Sequence, residues 1–200
     1  MASATSPSPE SRIKRVSEPT IQDYDEQKFK ELILYLADKS ADDPSFGDTK
    51  LNKLLFFSDF LAYAVHGRSI TGAVYQKLEF GPAPRRLLPA RHEMMEARDA
   101  AVVRKGRAYK RTVTVNRRPA DTRLFSTAEL DLVDEVIDLL RNHDASEVSD
   151  MAHSLSAGWQ LGEMFEDIPY DSIFLSVTDH LTPHEVHRGQ QLAAELGLAS

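Results

Sequence analysis

Seven histidines and a run of carboxylates and hydroxyls invite a search for metal or nucleophile chemistry. His180, His184 and His187 form the tightest histidine group, but Thr182-Pro183-His184-Glu185 reads as a helix-opening capping box, so His180 sits before the helix and only His184 and His187 share its face. The His-Glu-x-x-His spacing that seats zinc beside a general base is absent, and the group reads as polar residues on an exposed first turn. Ser149, Asp150, His153 and Ser154 supply the residue types of a nucleophile and its base. A triad is fixed by geometry in space, however, and the chain has no strained Gly-x-Ser-x-Gly elbow, so His153 reads as a packed or capping histidine. The nine glycines form neither a phosphate loop nor a G-x-G-x-x-G turn. With no cysteine, thiolate zinc, iron–sulfur clusters, disulfides and a thiol nucleophile are all excluded. The expectation is a protein with no catalytic residue, no metal and no cofactor, hence not an enzyme.

Two features point to binding instead. The first is a basic hairpin: Arg98, Arg104, Lys105, Arg107, Lys110, Arg111, Arg117 and Arg118 surround the extended runs Ala101-Val102-Val103 and Thr112-Val113-Thr114-Val115. It resembles the wing of a winged-helix DNA binder, although the helix before it carries Glu93 and Glu96 and makes a poor recognition helix. The second is Asp59, at the margin of the most apolar helical face in the chain. A carboxylate there needs a partner, expected to be a backbone amide or an arginine, with Arg85 and Arg86 within reach.

Several elements must position these residues. Phe29, Leu32, Ile33 and Leu36 recur at helical spacing and predict an amphipathic helix ending near Lys39. Asp48 to His66 is apolar nearly all round, with Leu51, Leu54, Leu55, Ser58, Ala62 and Val65 on one face and Gly67 as its left-handed stop, the signature of a buried central helix. Ala73 to Phe80 reads as a short extended segment closed by a Gly81-Pro82-Ala83-Pro84 turn. Leu87, Leu88, Met94 and Met95 support a helix with Pro89 in its first turn. Ser126-Thr127-Ala128-Glu129 is a second capping box, opening a helix with Leu130, Val133, Ile137 and Leu140 inward. Ala145 to His153 suggests another helix, and Trp159 to Leu175 an irregular stretch with one extended piece. The fold class expected is α+β and predominantly α-helical: a central buried helix, surrounding helices and a small antiparallel sheet or hairpin.

At 200 residues the chain has the length of one ordinary domain, read as a flexible tail over 1–22, rich in Ser and Pro, and a domain over 23–200. No apolar run reaches bilayer length and no secretory h-region is present, so a cytoplasmic protein without a membrane partner is expected. The net charge of −7 hides an asymmetry: residues 98–123 hold nine basic and two acidic residues, and 124–200 hold two basic and fifteen acidic. Such separation steers association with a charged partner. The acidic face formed by Asp131, Asp134, Glu135 and Asp138, or the basic hairpin, is the surface expected to cover such a partner.

In succession, Lys50-Leu51-Asn52-Lys53-Leu54-Leu55-Phe56-Phe57-Ser58-Asp59, Gly67-Arg68-Ser69-Ile70-Thr71-Gly72, Tyr75 and Phe80-Gly81-Pro82-Ala83-Pro84 resemble the signature of the Panacea (SocA-like antitoxin) domain. Phe125 to Leu130, the Ala145–His153 segment and Gly158-Trp159 resemble its C-terminal helices and His…Trp element, so the likeness runs from about Phe29 to Leu175. Ala83, the doubled Phe56-Phe57 and the long basic hairpin depart from the family pattern and leave partner identity open. The resemblance implies an antitoxin that neutralises a co-encoded toxin by direct binding, often carried by a phage or mobile element. It also implies ClpXP as a further partner, since one member delivers its toxin to that protease, while the hairpin adds the alternative of a regulator binding its own promoter DNA. The positions carried over as signature or partner-binding residues are Lys50, Lys53, Asp59, Tyr75, Phe80, Gly81, Pro82, Arg85, His153 and Trp159, with Arg104, Lys105, Arg107, Lys110 and Arg111 as the nucleic-acid or partner patch.

Overall fold

The computed structural model describes residues 23–106 and 111–175. The expected tail over 1–22, the Thr182 capping box with its helix, the histidines at 180, 184 and 187, and Arg107 and Lys110 of the hairpin lie outside the described residues. The described chain is predominantly helical, with two small antiparallel sheets.

The first helix, α1 (Glu26–Lys39), is capped by Asp25, whose carboxylate accepts from the Lys28 amide, and buries Phe29, Leu32, Ile33 and Leu36. The next, α2 (Asp48–His66), ends at Gly67 with φ 74°, where a side chain would be strained. Both faces of α2 are buried, because α1, α4 (Thr127–Arg141), α5 (Ala145–Leu155) and the hairpin of β1 (Tyr75–Leu78) and β2 (Gly81–Pro84) pack around it. Only its last turn projects from this casing, which leaves Val65, expected on the inner face, 66% exposed.

The Gly-Pro-Ala-Pro segment is a strand, not the turn its prolines suggest. β2 pairs antiparallel with β1, Tyr75 opposite Pro84 and Lys77 opposite Pro82, and lies at the edge of a sheet ordered β2-β1-β5, with β5 at Asp167–Ile168. An edge position is where a sheet tolerates residues without an N–H. β5 and the 3₁₀ turn at Tyr170–Phe174 organise much of the stretch expected to be irregular, as does the short α6 (Ala157–Leu161). Helix α3 (Leu87–Glu96) turns Leu87, Ala90, Arg91 and Met94 inward, so Leu88 and Met95, offset from that stripe, are exposed.

The basic hairpin forms as expected from β3 (Ala100–Lys105) and β4 (Arg111–Asn116). It is less of a free wing than the sequence suggests. Arg111 donates from Nε to the Phe46 carbonyl at 2.9 Å, and Arg118 forks onto Glu31 (2.6 and 2.9 Å) while its Nε reaches Asp99 at 2.8 Å. Glu31 is buried on α1, so these two arginines serve the fold, whereas Arg104 and Lys105 are exposed. Arg118→Ala should leave Glu31 without its charge partner and lower unfolding free energy by about 2–3 kcal/mol. Arg104→Ala should change it by less than about 0.5 kcal/mol. Urea denaturation of the two variants checks the difference.

Candidate functional site

Helix α2 carries three ionisable groups into the interior, Lys50, Lys53 and Asp59, and each is met by a different segment of chain. Lys50 and Asp43 form an ion pair at 2.5 Å with both side chains shielded, and the Lys50 ammonium also donates to the His143 carbonyl at 2.7 Å. Burial pushes the Asp43 carboxyl up, but hydrogen bonds from Lys50 and Ser45 outweigh it and hold the group below the usual range. This knot ties the α1–α2 loop to the α4–α5 turn. Sequence reasoning missed Asp43 as the partner of Lys50; the Asp43-x-Ser45 turn, closed by the Ser45 amide donating to Asp43, is the local signal that could have found it.

Asp59 is fully buried. The Thr71 amide donates to Oδ1 at 2.7 Å, and the Thr71 and Tyr75 hydroxyls lie 2.5 and 2.7 Å from Oδ2. The expected backbone amide is there. Arg85 and Arg86, the other expected partners, are not: Arg85 lies on the surface with Asp167 at 2.5 Å and Gln76 at 2.9 Å, and Arg86 reaches Glu93 at 3.3 Å. The Tyr75 hydroxyl also sits 2.8 Å from the Leu55 carbonyl. Three oxygen–oxygen contacts therefore need three protons, and the two hydroxyls bring two. Burial raises the Asp59 pKa against the hydrogen bonds from Thr71 and Tyr75, a direction that favours the acid as the source of the third. The knot fastens α2 to the Gly67–Gly72 turn and to β1.

The third node brings together Lys53, Gly81, Pro82, His153 and Trp159, all named from sequence, and adds Lys77. Gly81 has φ 99°, and a Cβ placed on it would meet Lys53 Nζ at 2.8 Å and His153 Nε2 at 3.1 Å. Only a glycine allows the hairpin to press this closely on α2 and α5. Lys53 Nζ donates to the Pro82 carbonyl at 3.1 Å, and with no carboxylate beside it burial lowers its pKa to about 7. His153 stacks on Trp159 with centroids 3.7 Å apart and planes 10° apart, and burial, together with the Lys53 charge, lowers its pKa. The Trp159 indole N–H donates to the Leu78 carbonyl at 2.9 Å, and the Lys77 ammonium lies 4.6 Å from its ring centroid. Gly158 has the same office as Gly81 on the other side, since a Cβ there would come within 2.7 Å of Ile168 Cγ2. Phe80, at the tip of the β1–β2 hairpin, is 66% exposed and joins none of these nodes.

A family model described as antitoxin SocA-like, Panacea domain, matches residues 51–160, which run from α2 into α6 and hold the second and third nodes but neither Lys50 nor Asp43 of the first. The chain belongs to this family. No curated protein and no solved structure matches it. Of the positions carried over from the resemblance, Lys50, Lys53, Asp59, Tyr75, Gly81, Pro82, His153 and Trp159 take part in the three knots, while Phe80 and Arg85 lie outside them. Among the described residues no group of three or more His, Asp or Glu is placed to hold a metal ion, and no helix is long and apolar enough to cross a membrane.

Beside the third node lies what the sequence did not disclose, an open groove of about 970 Å³ walled by Phe57 and Leu61 of α2, Leu139 of α4, Met151 of α5, Trp159 of α6 and Ile173. These side chains come from five elements, so no single periodicity marks them.

Asp59→Ala should remove about 3 kcal/mol or more, since two hydroxyls and an amide lose their buried partner, while Asp59→Asn, which mimics the protonated acid, should lose about 1 kcal/mol. A carboxyl whose folded pKa is raised destabilises progressively as pH climbs above its unfolded value near 4, so Asp59→Asn should also flatten that decline in urea unfolding. Lys53 works with the opposite sign. Its folded pKa of about 7 lies below the unfolded value of 10.5, so the folded state binds fewer protons and stability should rise with pH across that interval. Between pH 7 and 9 the gain should be on the order of 2 kcal/mol and should vanish in Lys53→Met. Gly81→Ala should lower stability by about 2 kcal/mol or more in the same measurement, from clash and strain together.

Proposed function

We propose that this protein is an antitoxin that neutralises a co-encoded toxin by direct protein contact. Membership of the SocA-like antitoxin family carries the reading. The physical arrangement supports it: the signature groups are spent on internal fastening, Lys53 is 2% exposed and Asp59 0%, and what the molecule offers outward is shape and charge. Residues 127–175 hold twelve acidic residues against one basic, Arg141. On α4, Asp131, Glu135 and Asp138 face solvent, although Asp134 is drawn into the seam with α1 by the Tyr35 hydroxyl at 2.8 Å and Lys39 at 3.0 Å. A toxin with a basic active-site rim fits this surface by charge. The competing role as a regulator of its own promoter loses ground, because Arg111 and Arg118 are already engaged within the fold.

Co-expression with the product of the adjacent reading frame should restore growth, and the two proteins should co-purify as a complex. Absence of both rescue and complex overturns the reading. A promoter-DNA gel shift, abolished by Arg104→Glu with Lys105→Glu, in a protein that fails to rescue would favour the DNA-binding role instead.

A further inference from the structure

We propose that the groove beside Trp159 is the docking site for the partner, and that its occupant is an amphipathic helix with an apolar stripe flanked by lysine or arginine. This rests on the antitoxin reading and specifies where the toxin is gripped and by what chemistry.

Three observations carry it. The groove is a continuous apolar trough of about 970 Å³, and the side chains on it that face water are large: Leu139 is 54% exposed, Leu155 57% and Leu175 58%. Aliphatic side chains this exposed around one concavity mark a surface that another chain covers. Second, the charge on the lining and on the α4 flank is mainly acidic, although the Lys77 ammonium lies 4.6 Å from the Trp159 ring centroid. Among the described residues the trough's lining includes the carboxylate of Asp150 and no lysine or arginine. Glu135 and Asp138 flank Leu139 on the exposed side of α4, and the single arginine of 127–175, Arg141, already lies 3.5 Å from Asp138. A basic flank is drawn to such a rim and an acidic one repelled. Third, the walls among the described residues are side chains of α2, α4, α5 and α6 and of the 3₁₀ turn with Leu175 after it, and no described strand contributes to the lining. An occupant finds no row of backbone donors and acceptors to pair with there. A helix satisfies its own backbone and presents only side chains, so it is the segment that enters such a trough without stranding polar groups.

Trp159 is the chain's only tryptophan and lines the groove, so its emission reports occupancy. Titrating an 18-residue Leu/Lys amphipathic peptide into the full chain should give a saturable shift in Trp159 emission at micromolar concentrations. A Leu/Glu peptide with the same apolar stripe should bind at least about tenfold more weakly. Leu139→Arg and Leu155→Arg, checked for unchanged circular dichroism and melting, should abolish the shift, whereas Leu88→Arg on α3 should leave it intact. Equal binding of both peptides, or binding unaffected by the groove substitutions, overturns the proposal.

The toxin itself supplies the second arm. A photo-crosslinking residue at Leu155 of the full chain, co-expressed with the adjacent gene's product, should attach to a basic helical segment of that product. Attachment to residues 176–200 of this chain, or to a second copy, overturns the proposal by identifying another occupant. If wild type rescues growth and the groove variants rescue equally well, the groove is not the docking site and the antitoxin reading stands. If wild type gives neither rescue nor complex, the antitoxin reading fails, and the docking of a toxin here fails with it, whatever the peptides do.

Discussion

A helix buried on every side leaves its polar side chains no solvent to retreat to. Helix α2 carries two lysines and an aspartate into that situation, and much of the fold follows from how the three are met. An isolated charge in a protein interior is intolerable, so each group must be neutralised, paired or surrounded by oriented dipoles. The chain uses a different remedy at each: a carboxylate for Lys50, a weakened basicity for Lys53, and for Asp59 a set of hydroxyl and amide contacts. Because the partners come from the loop before α2, the hairpin after it and the helices beyond, the three together fix the position of most elements relative to one rod.

These fastenings explain why the residues that hold the frame are dispersed along the sequence. Lys53, Gly81, Pro82, His153 and Trp159 are widely separated in the chain yet meet at one point, each shaping the space the next occupies. The glycine leaves room for an amine and an imidazole, the proline carbonyl receives the amine, and the imidazole supports the indole that walls the groove. Frame and groove are thus continuous: His153 and Trp159, which help to hold the scaffold, also line the groove.

Much of this frame was legible in the sequence. The all-round apolarity of 48–66 with Gly67 behind it located α2, Ser126 with Glu129 opened α4, and the alternating runs about Gly106 marked the second hairpin. All three are short-range signals. What escaped depended on contacts between distant segments. Gly-Pro-Ala-Pro has the composition of a turn and becomes a strand only because β1 lies beside it. Arg85 seemed a fit counter-ion for Asp59 by charge alone, yet the hairpin faces it outward while Thr71 and Tyr75 face in. The Asp144 and Glu147 capping box that opens α5 was passed over although its pattern is local. The groove has no periodic signature because five elements build it.

The proline-bearing edge strand has a consequence for how this molecule meets other chains. Pro82 and Pro84 bring no N–H to the outer rim of β2, and the Pro82 carbonyl there is already taken by Lys53. The opposite rim, β5, is two residues long. The sheet therefore cannot be lengthened by a foreign strand, whether from a partner or from an aggregating copy. With the rims of this sheet blunted, the choice of company on this side of the molecule falls to side-chain surfaces, which can be rewritten one residue at a time without disturbing the sheet beneath.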